Sequence, residues 1–317
     1  MKNIITFSAP SKVILSGEHS VVYGYPALIT SINKRLIFSL SEENVFSNEN
    51  DLKNKEIVGL IEKIIISYLK KHKIAYCKKK YFFKIDSEIP VGYGLGSSAA
   101  LSVAAAACFL KFLSGKNFPK EVINDLAYQI EIYFHQNPSG VDNTASCFGG
   151  LIYYRKEFDF LKNISFLNFK IPETFSLYLI NSGRPKEKTK EMVNVVFEKY
   201  KKNPLFFENI FINIQKTTKK MVLAIKEENA NLFYEAILDN EIFLEMLGVV
   251  SLKTKKLLQK LFPFGVGKVT GAGGKDDKSG FILFFAKKEK ELLSFLKEQK
   301  INFFKFSFDN KGVYEKS

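Results

Sequence analysis

One segment limits the folds that this chain can adopt more than any other. It joins a glycine-rich turn directly to a long apolar helix, and it comprises residues 90–115, PVGYGLGSSAALSVAAAACFLKFLSG. The glycines at 92, 94 and 96 allow backbone conformations and close approaches that side chains disfavour. The alanine-rich run that follows predicts a helix that ends at Gly115. Because this helix has almost no polar surface, we expect it to be buried and to give the turn a rigid support.

The turn itself is a candidate phosphate cradle. A helix N-terminus offers unpaired N–H groups and the positive end of the helix dipole, which together attract anions. Ser97 or Ser98 would also offer a hydroxyl oxygen to Mg²⁺. The alternative is a flexible turn in which the serines cap the helix. The common P-loop motif GxxxxGK[ST] is absent, and GVGKVT at 265–270 lacks its first glycine and the serine or threonine after Lys268.

Composition indicates a globular protein. The chain has 317 residues, of which 46% are hydrophobic and 25% charged, and this length is enough for two domains. The sequence shows no uncharged apolar run of membrane-spanning length and no signal peptide. We therefore expect a cytoplasmic protein that does not bind a membrane.

The net charge of +14 comes almost entirely from lysine, because only Arg35, Arg155 and Arg184 are arginines. The lysines are spread widely, whereas base readout in nucleic acids favours the arginine fork. We therefore expect no nucleic acid partner, and a basic surface suited to an anionic substrate and ATP. The three cysteines form no CxxC pair, so neither a zinc site nor a disulfide framework is indicated.

Helix and strand patterns alternate in both halves of the chain, which predicts an α+β or α/β fold. One helical pattern, PKEVINDLAYQIEIYFHQ, should begin near Pro119 and end before Pro138. The predicted secondary structure changes near residue 173, where a strand is followed by a long series of helical segments. We predict two domains, residues 1–172 and 173–317.

A second candidate segment is APSKVILSGEHSVVYGYPAL, residues 9–28. Lys12 is predicted at the start of a strand, and Glu18 and His19 fall in the turn after it. Taken alone, these residues are also explained as solvated charges at a strand edge.

A third candidate segment is EIYFHQNPSGVDN, residues 131–143. Glu131 and His135 are four residues apart and therefore share one helical face. The Asn–Pro break lets the chain reverse, so that Asp142 can approach the same region. The alternatives are an Asx-turn for Asp142, an exposed carboxylate for Glu131 and a helix-terminal position favoured by the dipole for His135.

The loop VTGAGGKDDKSG, residues 269–280, is a fourth candidate, and alone it is typical of a surface turn. An alcohol kinase requires a phosphate cradle, a carboxylate for Mg²⁺, a base for the hydroxyl and a cation beside that base. The four segments supply a candidate for each requirement on a turn or a helix end. We therefore hypothesise a small-molecule kinase with Asp142 as its base.

These segments resemble the motifs of the GHMP small-molecule kinases, and most of all those of mevalonate kinases. APSKVILSGEHSVVYG is similar to the first family motif, PGKVILxGEHxVVxG, and PVGYGLGSSAA is similar to the second. KVTGAGG is similar to the third. HQNPSGVDN is close to the HGNPSGVDN segment of mevalonate kinases and is the most discriminating match. The resemblance runs from about residue 5 to about residue 285.

The resemblance implies an α+β fold of GHMP kinase architecture, with a ribosomal-S5-domain-2-like α/β N-terminal domain and a ferredoxin-like C-terminal domain. It implies transfer of the ATP γ-phosphoryl group to the 5-hydroxyl of mevalonate, in isoprenoid precursor biosynthesis, with Mg²⁺ as cofactor. ATP and mevalonate would meet in the cleft between the domains, and a homodimer is a possible assembly.

The resemblance also implies roles for individual residues. Asp142 would accept the hydroxyl proton, and Lys12 would keep Asp142 ionised and steady the transferring phosphoryl group. Glu131 and Ser98 would hold Mg²⁺. The residues implied to bind ATP are Gly92, Gly94, Leu95, Gly96, Ser97, Ser98 and Ala99. The residues implied to bind mevalonate are Glu18, His19, Asp142, Gly271, Ala272 and Gly273.

The third motif departs from the family pattern. The usual TGAGGGGC becomes TGAGGKDDKSG, which is longer and places Lys275, Asp276 and Asp277 after Gly274. One alternative is therefore a GHMP kinase for phosphomevalonate or another small hydroxylated substrate. Another is a non-catalytic binding protein of the GHMP fold, although the intact candidate base, cation and metal ligands argue against it.

Overall fold

The computed structural model describes residues 4–46, 52–135, 138–158 and 160–316, and its main strands form two sheets. The first sheet contains β1 (Ile4–Ser16), β2 (Ala27–Ser41), β3 (Phe82–Ser87), β4 (Leu151–Lys156), β5 (Lys162–Leu167) and the last strand, β10 (Tyr314–Glu315). The second contains β6 (Leu177–Asn181), β7 (Gly265–Val269), β8 (Phe281–Ala286) and β9 (Phe303–Lys305).

The helices lie on and between the sheets. They are α1 (Leu52–Lys71), α2 (Ser97–Ser114), α3 (Lys120–His135), α4 (Val141–Phe148), α5 (Thr189–Lys202), α6 (Pro204–Lys226), α7 (Ala230–Leu247), α8 (Leu252–Leu261) and α9 (Glu289–Glu298). The predicted bounds of the helix before Pro138 are confirmed by α3.

The first sheet is antiparallel, with the order β10-β1-β2-β4-β5 and with β3 also paired to β2. Bulges shift the register of the β1–β2 hairpin between Pro10 and Ser11 and again between Ile14 and Ser16. Lys12 lies between these bulges, well inside the strand. The prediction that Lys12 begins a strand was wrong, because β1 continues through Pro10 at a bulge, where the ladder tolerates proline.

Helix α2 packs against strands β1 and β2 of the first sheet. By length and composition it could cross a membrane, but 72% of it is buried inside the protein. The expectation that no such apolar run exists is therefore corrected: α2 is one, and the sheet and the neighbouring helices α1 and α3 cover it. The helix ends as predicted at Gly115, which has a φ of 72°.

The second sheet is antiparallel with the order β7-β8-β6-β9. Along the chain, this part of the protein consists of one strand, a series of helices, two strands, one helix and a final strand. This β-α-β-β-α-β succession is the ferredoxin-like arrangement, and the predicted α+β fold is confirmed.

The C-terminal end of the chain returns to the first sheet. Strand β10 pairs with β1, with Phe7 opposite Glu315. The guanidinium of Arg35 forms an ion pair with Asp309 and donates a hydrogen bond to the carbonyl oxygen of Gly312 at 2.6 Å. The division into residues 1–172 and 173–317 stays a prediction, and this tail packs against the first half of the chain.

Helix α4 was not predicted. The segment around Asp142 indicated a turn before a strand, whereas the chain forms a helix from Val141 to Phe148 after Gly140, which has a φ of 85°. Eight residues between glycines are too few to show a clear helical period, so packing decides this helix.

Candidate active site

Asp142 and Lys12 form an ion pair between the N-terminus of α4 and the middle of β1. Lys12 Nζ lies 2.9 Å from Asp142 Oδ1 and donates a hydrogen bond to the carbonyl oxygen of Gly94 at 3.1 Å. The Lys12 side chain is 2% exposed, whereas that of Asp142 is 36% exposed. The ammonium is therefore buried, and the carboxylate it holds opens to solvent.

The glycine turn before α2 is attached to β1 by backbone contacts. The amide of Lys12 and the hydroxyl of Ser11 both donate to the carbonyl oxygen of Leu95, at 3.2 and 2.7 Å. Gly96 caps α2 with a φ of 76°, and a Cβ there would lie 2.9 Å from Cγ of Lys12. Glycine is required at 96 both by its left-handed backbone and by the approach of Lys12.

Glu131 on α3 reaches the first turn of α2. One carboxylate oxygen accepts from the Ser98 hydroxyl at 3.2 Å, and the other accepts from the Ser102 hydroxyl at 2.9 Å. Ser98 Oγ also lies 3.1 Å from Nε2 of His135. Burial raises the pKa of Glu131 to about 8, and the negative charge of Asp142 adds to this effect.

The oxygens of Glu131 and Ser98 fit a magnesium ion. Carboxylate and hydroxyl oxygens are ligands that Mg²⁺ accepts, and Glu131 and Ser98 supply one of each, 3.2 Å apart. Among the described residues, no group of three or more histidine, cysteine, aspartate or glutamate side chains converges.

Glu18 and His19 lie in the turn after β1, as predicted, but they face different surroundings. The Glu18 carboxylate is 1% exposed and forms an ion pair with the equally buried Lys268. His19 Nε2 lies 3.1 Å from the carbonyl oxygen of Ala272, and burial lowers the pKa of His19 to about 4. A neutral imidazole therefore donates through Nε2 to this carbonyl, and its buried Nδ1 has no hydrogen-bond partner among the described residues.

The third-motif loop packs against the glycine turn. Cβ atoms at Gly271 and Gly273 would lie 2.9 Å from the Gly94 carbonyl oxygen and 2.1 Å from the Val249 carbonyl oxygen. Both glycines have left-handed φ angles, 85° and 70°. The first and third motifs and the glycine turn therefore meet in one place.

The charged extension of this loop is held by residues of the second half of the chain. One carboxylate oxygen of Glu187 accepts from the amides of Lys275 and Asp276 at 3.1 and 2.9 Å. Asp277 forms an ion pair with Lys253, and its carbonyl oxygen accepts from the Ser251 hydroxyl at 2.8 Å. These contacts fix residues 275–277 against α8 and the segment after β6.

The structure brings most of the candidate residues together in one place and leaves the Glu18 carboxylate apart from them. The structure brings together Lys12, Asp142, residues 94–98, Glu131 and, beside them, His19 with residues 271–273. Glu18 is next to this group in sequence, but its carboxylate is enclosed below it. Gln136 and Asn137 of the HQNPSGVDN segment lie outside the described residues.

Sequence reasoning missed Arg184. Its Nε atom would lie 2.9 Å from a Cβ at Gly92, so the guanidinium rests on the glycine turn from the second half of the chain. Arg35 and Arg155 are held by hydrogen bonds to the protein. Within the part of the chain that the structure describes, the guanidinium of Arg184 has no hydrogen-bond or ion-pair partner. Because the sequence contains only three arginines, this scarcity could have marked Arg184 as a candidate site residue.

The chain is similar to proteins of known function. The family model for the GHMP kinases N terminal domain matches residues 59–150. The chain is 31% identical to a mevalonate kinase of Pyrococcus abyssi, over 86% of this chain and 87% of that protein. It is also 31% identical to a mevalonate kinase of Archaeoglobus fulgidus, over 92% of this chain and 95% of that protein.

Solved structures share the fold. The structure of L. major mevalonate kinase in complex with R-mevalonate matches with a TM-score of 0.77 and 22% identity, covering 98% of this chain and 96% of that one. A Streptococcus pneumoniae phosphomevalonate kinase bound to phosphomevalonate and AMPPNP matches with a TM-score of 0.75 and 16% identity, covering 95% and 99%. At these identities the two matches establish the fold.

Proposed function

The chain belongs to the mevalonate kinase family of the GHMP kinases, and from this we propose that it transfers the γ-phosphoryl group of ATP to the 5-hydroxyl of mevalonate. This reaction supplies a phosphorylated precursor for isoprenoid biosynthesis. The observation that carries the proposal is the position of Lys12, whose amine contacts both Asp142 Oδ1 and the Gly94 carbonyl oxygen. One buried cation thereby connects a solvent-accessible carboxylate to the glycine turn that would hold phosphate.

Asp142 is the proposed base. Its carboxylate accepts the proton of the attacking hydroxyl, and the partly exposed oxygen is available to a bound alcohol. Lys12 keeps this carboxylate oriented and places a positive charge where negative charge develops on the transferring group. Phosphoryl transfer depends mainly on such positioning and charge stabilisation.

The glycine turn and α2 would hold the ATP phosphates. The proposed ATP-binding residues are Gly92, Gly94, Leu95, Gly96, Ser97, Ser98 and Ala99, with backbone N–H groups at the N-terminus of α2 facing the anion. We add Arg184, whose unpartnered guanidinium lies beside Gly92 and offers a planar fork to anionic oxygens.

Glu131 and Ser98 would hold Mg²⁺. When bound, the ion neutralises charge on the phosphate oxygens and helps to orient them. Glu131 contributes a buried carboxylate, and Ser102 keeps that carboxylate in place through a 2.9 Å hydrogen bond. Ser98 contributes a hydroxyl oxygen directly beside the phosphate-binding turn.

His19 and residues 271–273 would line the acceptor site. The neutral imidazole donates through Nε2 to the Ala272 carbonyl oxygen, which fixes the ring beside the acceptor site and leaves Nδ1 unprotonated. We expected Glu18 to contact mevalonate. Because its carboxylate is enclosed by the protein, Glu18 would instead influence the acceptor site through the residues around it. The acceptor and ATP would meet between the proposed domains 1–172 and 173–317.

We further propose a cytoplasmic enzyme whose partners are ATP and mevalonate, with neither nucleic acid nor membrane as a partner. Lysine-rich basicity supports anionic small-molecule substrates, and a homodimer is compatible with the proposal. Light scattering of the purified protein would give its mass in solution directly.

A coupled ADP-release assay tests the function. The purified protein is given ATP and Mg²⁺ with mevalonate, phosphomevalonate or a panel of small sugars. Turnover on mevalonate is the expected result. Turnover on another acceptor alone would contradict the substrate assignment, and the same assay on Asp142→Asn would still test the base.

A further inference from the structure

Three ionisable side chains are enclosed beneath the acceptor site. Glu18 comes from the turn after β1, Lys268 from β7 and Glu241 from α7. They are 1%, 0% and 6% exposed, respectively. Ionisable groups are rarely buried to this degree without a specific arrangement of partners.

Lys268 connects the two sheets. Its amine forms the ion pair with Glu18 and also donates to the carbonyl oxygen of Ile14 in β1 at 3.3 Å. The same carbonyl accepts from the Thr270 hydroxyl at 3.0 Å, and that hydroxyl in turn accepts from the Ile14 amide at 3.2 Å. The end of β7 is therefore attached to β1 at a point two residues from Lys12.

Glu241, on α7, holds the same end of β7. One of its carboxylate oxygens accepts from the amide of Val269 at 2.8 Å. Val269 follows Lys268 and precedes Thr270, so the cluster holds the last two residues of β7, and the backbone of Ile14 holds the residue after them. The loop 271–273, which carries the carbonyl partner of His19, begins at the next residue.

The cluster contains two acidic side chains and one basic side chain. Two carboxylates share a single ammonium, and burial raises the pKa of both acids, that of Glu241 to about 8. The raised pKa values favour the protonated form of each acid, and a single proton on the pair would leave one ammonium facing one carboxylate. With its charges balanced, the cluster can remain buried.

We propose that Glu18, Lys268 and Glu241 form a positioning unit that sets the spacing between the His19 turn and the 271–273 loop, and so controls acceptor binding without touching the substrate. This inference rests on the proposed function for the identity of the acceptor. Its structural part, the fixing of the two loops, does not depend on which alcohol is phosphorylated.

The test separates positioning from simple stabilisation. Lys268→Met leaves Glu18 buried without its partner, so we expect a large loss of stability. The double variant Glu18→Gln/Lys268→Met removes both charges and should recover most of that loss. If the unit positions the site, the double variant still has a KM for mevalonate raised about 10-fold or more, with ATP affinity within about 3-fold of wild type.

A second readout uses the protein without ligands. Amide hydrogen exchange in residues 17–20 and 269–274 should accelerate in the double variant, while exchange in the first turn of α2 stays unchanged. Lys220→Met, which removes a half-exposed lysine that pairs with Glu235 and Asp239, is the matched control and should change neither exchange nor KM.

The outcomes distinguish the two proposals. A folded double variant with wild-type exchange and wild-type KM would overturn the positioning unit. If the double variant does not fold, Glu241→Ala is measured instead, and it must show faster exchange at 269–274 for the inference to stand. If wild-type protein does not phosphorylate mevalonate, the substrate assignment fails, while hydrogen exchange still decides the role of the cluster.

Discussion

The amine of Lys12 lies 2.9 Å from a carboxylate oxygen of Asp142, although the lysine is buried in a strand and the aspartate is partly exposed to solvent. Burying an ammonium is costly unless it is paired and hydrogen-bonded, and here Asp142 and the Gly94 carbonyl oxygen supply both partners. The pair therefore fixes the candidate base relative to the glycine turn before any substrate arrives.

The first prediction concerns the base. Asp142→Asn should lower kcat by a factor of about 10² to 10⁴, because the amide cannot accept the hydroxyl proton. The melting temperature should also fall, because the buried Lys12 ammonium loses its carboxylate partner, while the variant remains folded. Asp125→Asn, on the exposed face of α3, is the control for kinetics. Near-wild-type turnover by the Asp142 variant would show that another group is the base.

Arg184 provides the second prediction. Arg184→Ala should weaken ATP binding by about 10- to 100-fold, which corresponds to the loss of charge-assisted hydrogen bonds worth about 1.5–3 kcal/mol. Arg184→Lys should recover only part of this loss, because a lysine lacks the planar fork. Calorimetric titration with a non-hydrolysable ATP analogue gives the dissociation constant. Unchanged affinity, matching an Arg155→Ala control, would remove Arg184 from the site.

The third prediction concerns Mg²⁺. Glu131→Gln should raise the Mg²⁺ concentration needed for half-maximal activity by about 10-fold or more, because a neutral amide oxygen is a weaker ligand than a carboxylate. Titrations of activity against free Mg²⁺ measure this shift. Glu121→Gln, near the exposed start of the same helix, should leave the titration unchanged. A wild-type titration for the Glu131 variant would contradict the assignment.

A pair of glycine substitutions makes the fourth prediction. Gly96→Ala places a methyl group against Lys12 and requires a left-handed φ, which costs about 1–2 kcal/mol for the backbone alone. Thermal unfolding should show lower stability, and displacement of Lys12 should also lower kcat. Gly59→Ala in α1, where nothing lies within 4 Å, should instead stabilise the helix by about 0.5–1 kcal/mol. Equal effects of the two substitutions would contradict the packing described.

The fifth prediction is the pH dependence of stability. Burial raises the pKa of Glu241 to about 8 from an ordinary value of 4.5. The protonated acid stabilises the fold fully below the ordinary pKa, and this contribution is lost as the pH rises towards 8. Chemical denaturation between about pH 6 and about pH 9 should therefore show a steeper loss of unfolding free energy in the wild type than in Glu241→Gln.

The comparison isolates Glu241 because the other charged groups that face it, Lys268, Glu18 and Glu245, are the same in both proteins. Parallel pH curves for the two proteins would show that Glu241 does not titrate in this range in the folded state.

The sequence by itself determined the family, the chemistry and the local backbone of the site. The glycines before α2, the serines at its start and the helix pair Glu131–His135 are local patterns, and local patterns report local conformation. Helix α4 was missed because it is too short to show a helical period. The interior position of Lys12 in β1 was missed because it depends on a bulge.

Only the tertiary structure decided which side chains meet. Lys268 is 250 residues from Glu18 in the chain, and neighbouring sequence carries no signal for their contact. Packing of the second sheet against β1 encloses Glu18, leaves Nδ1 of His19 without a partner among the described residues, and brings Arg184 to Gly92. The physical reason is that an ion pair or a close approach depends on the arrangement of whole sheets, which periodicity and composition do not encode.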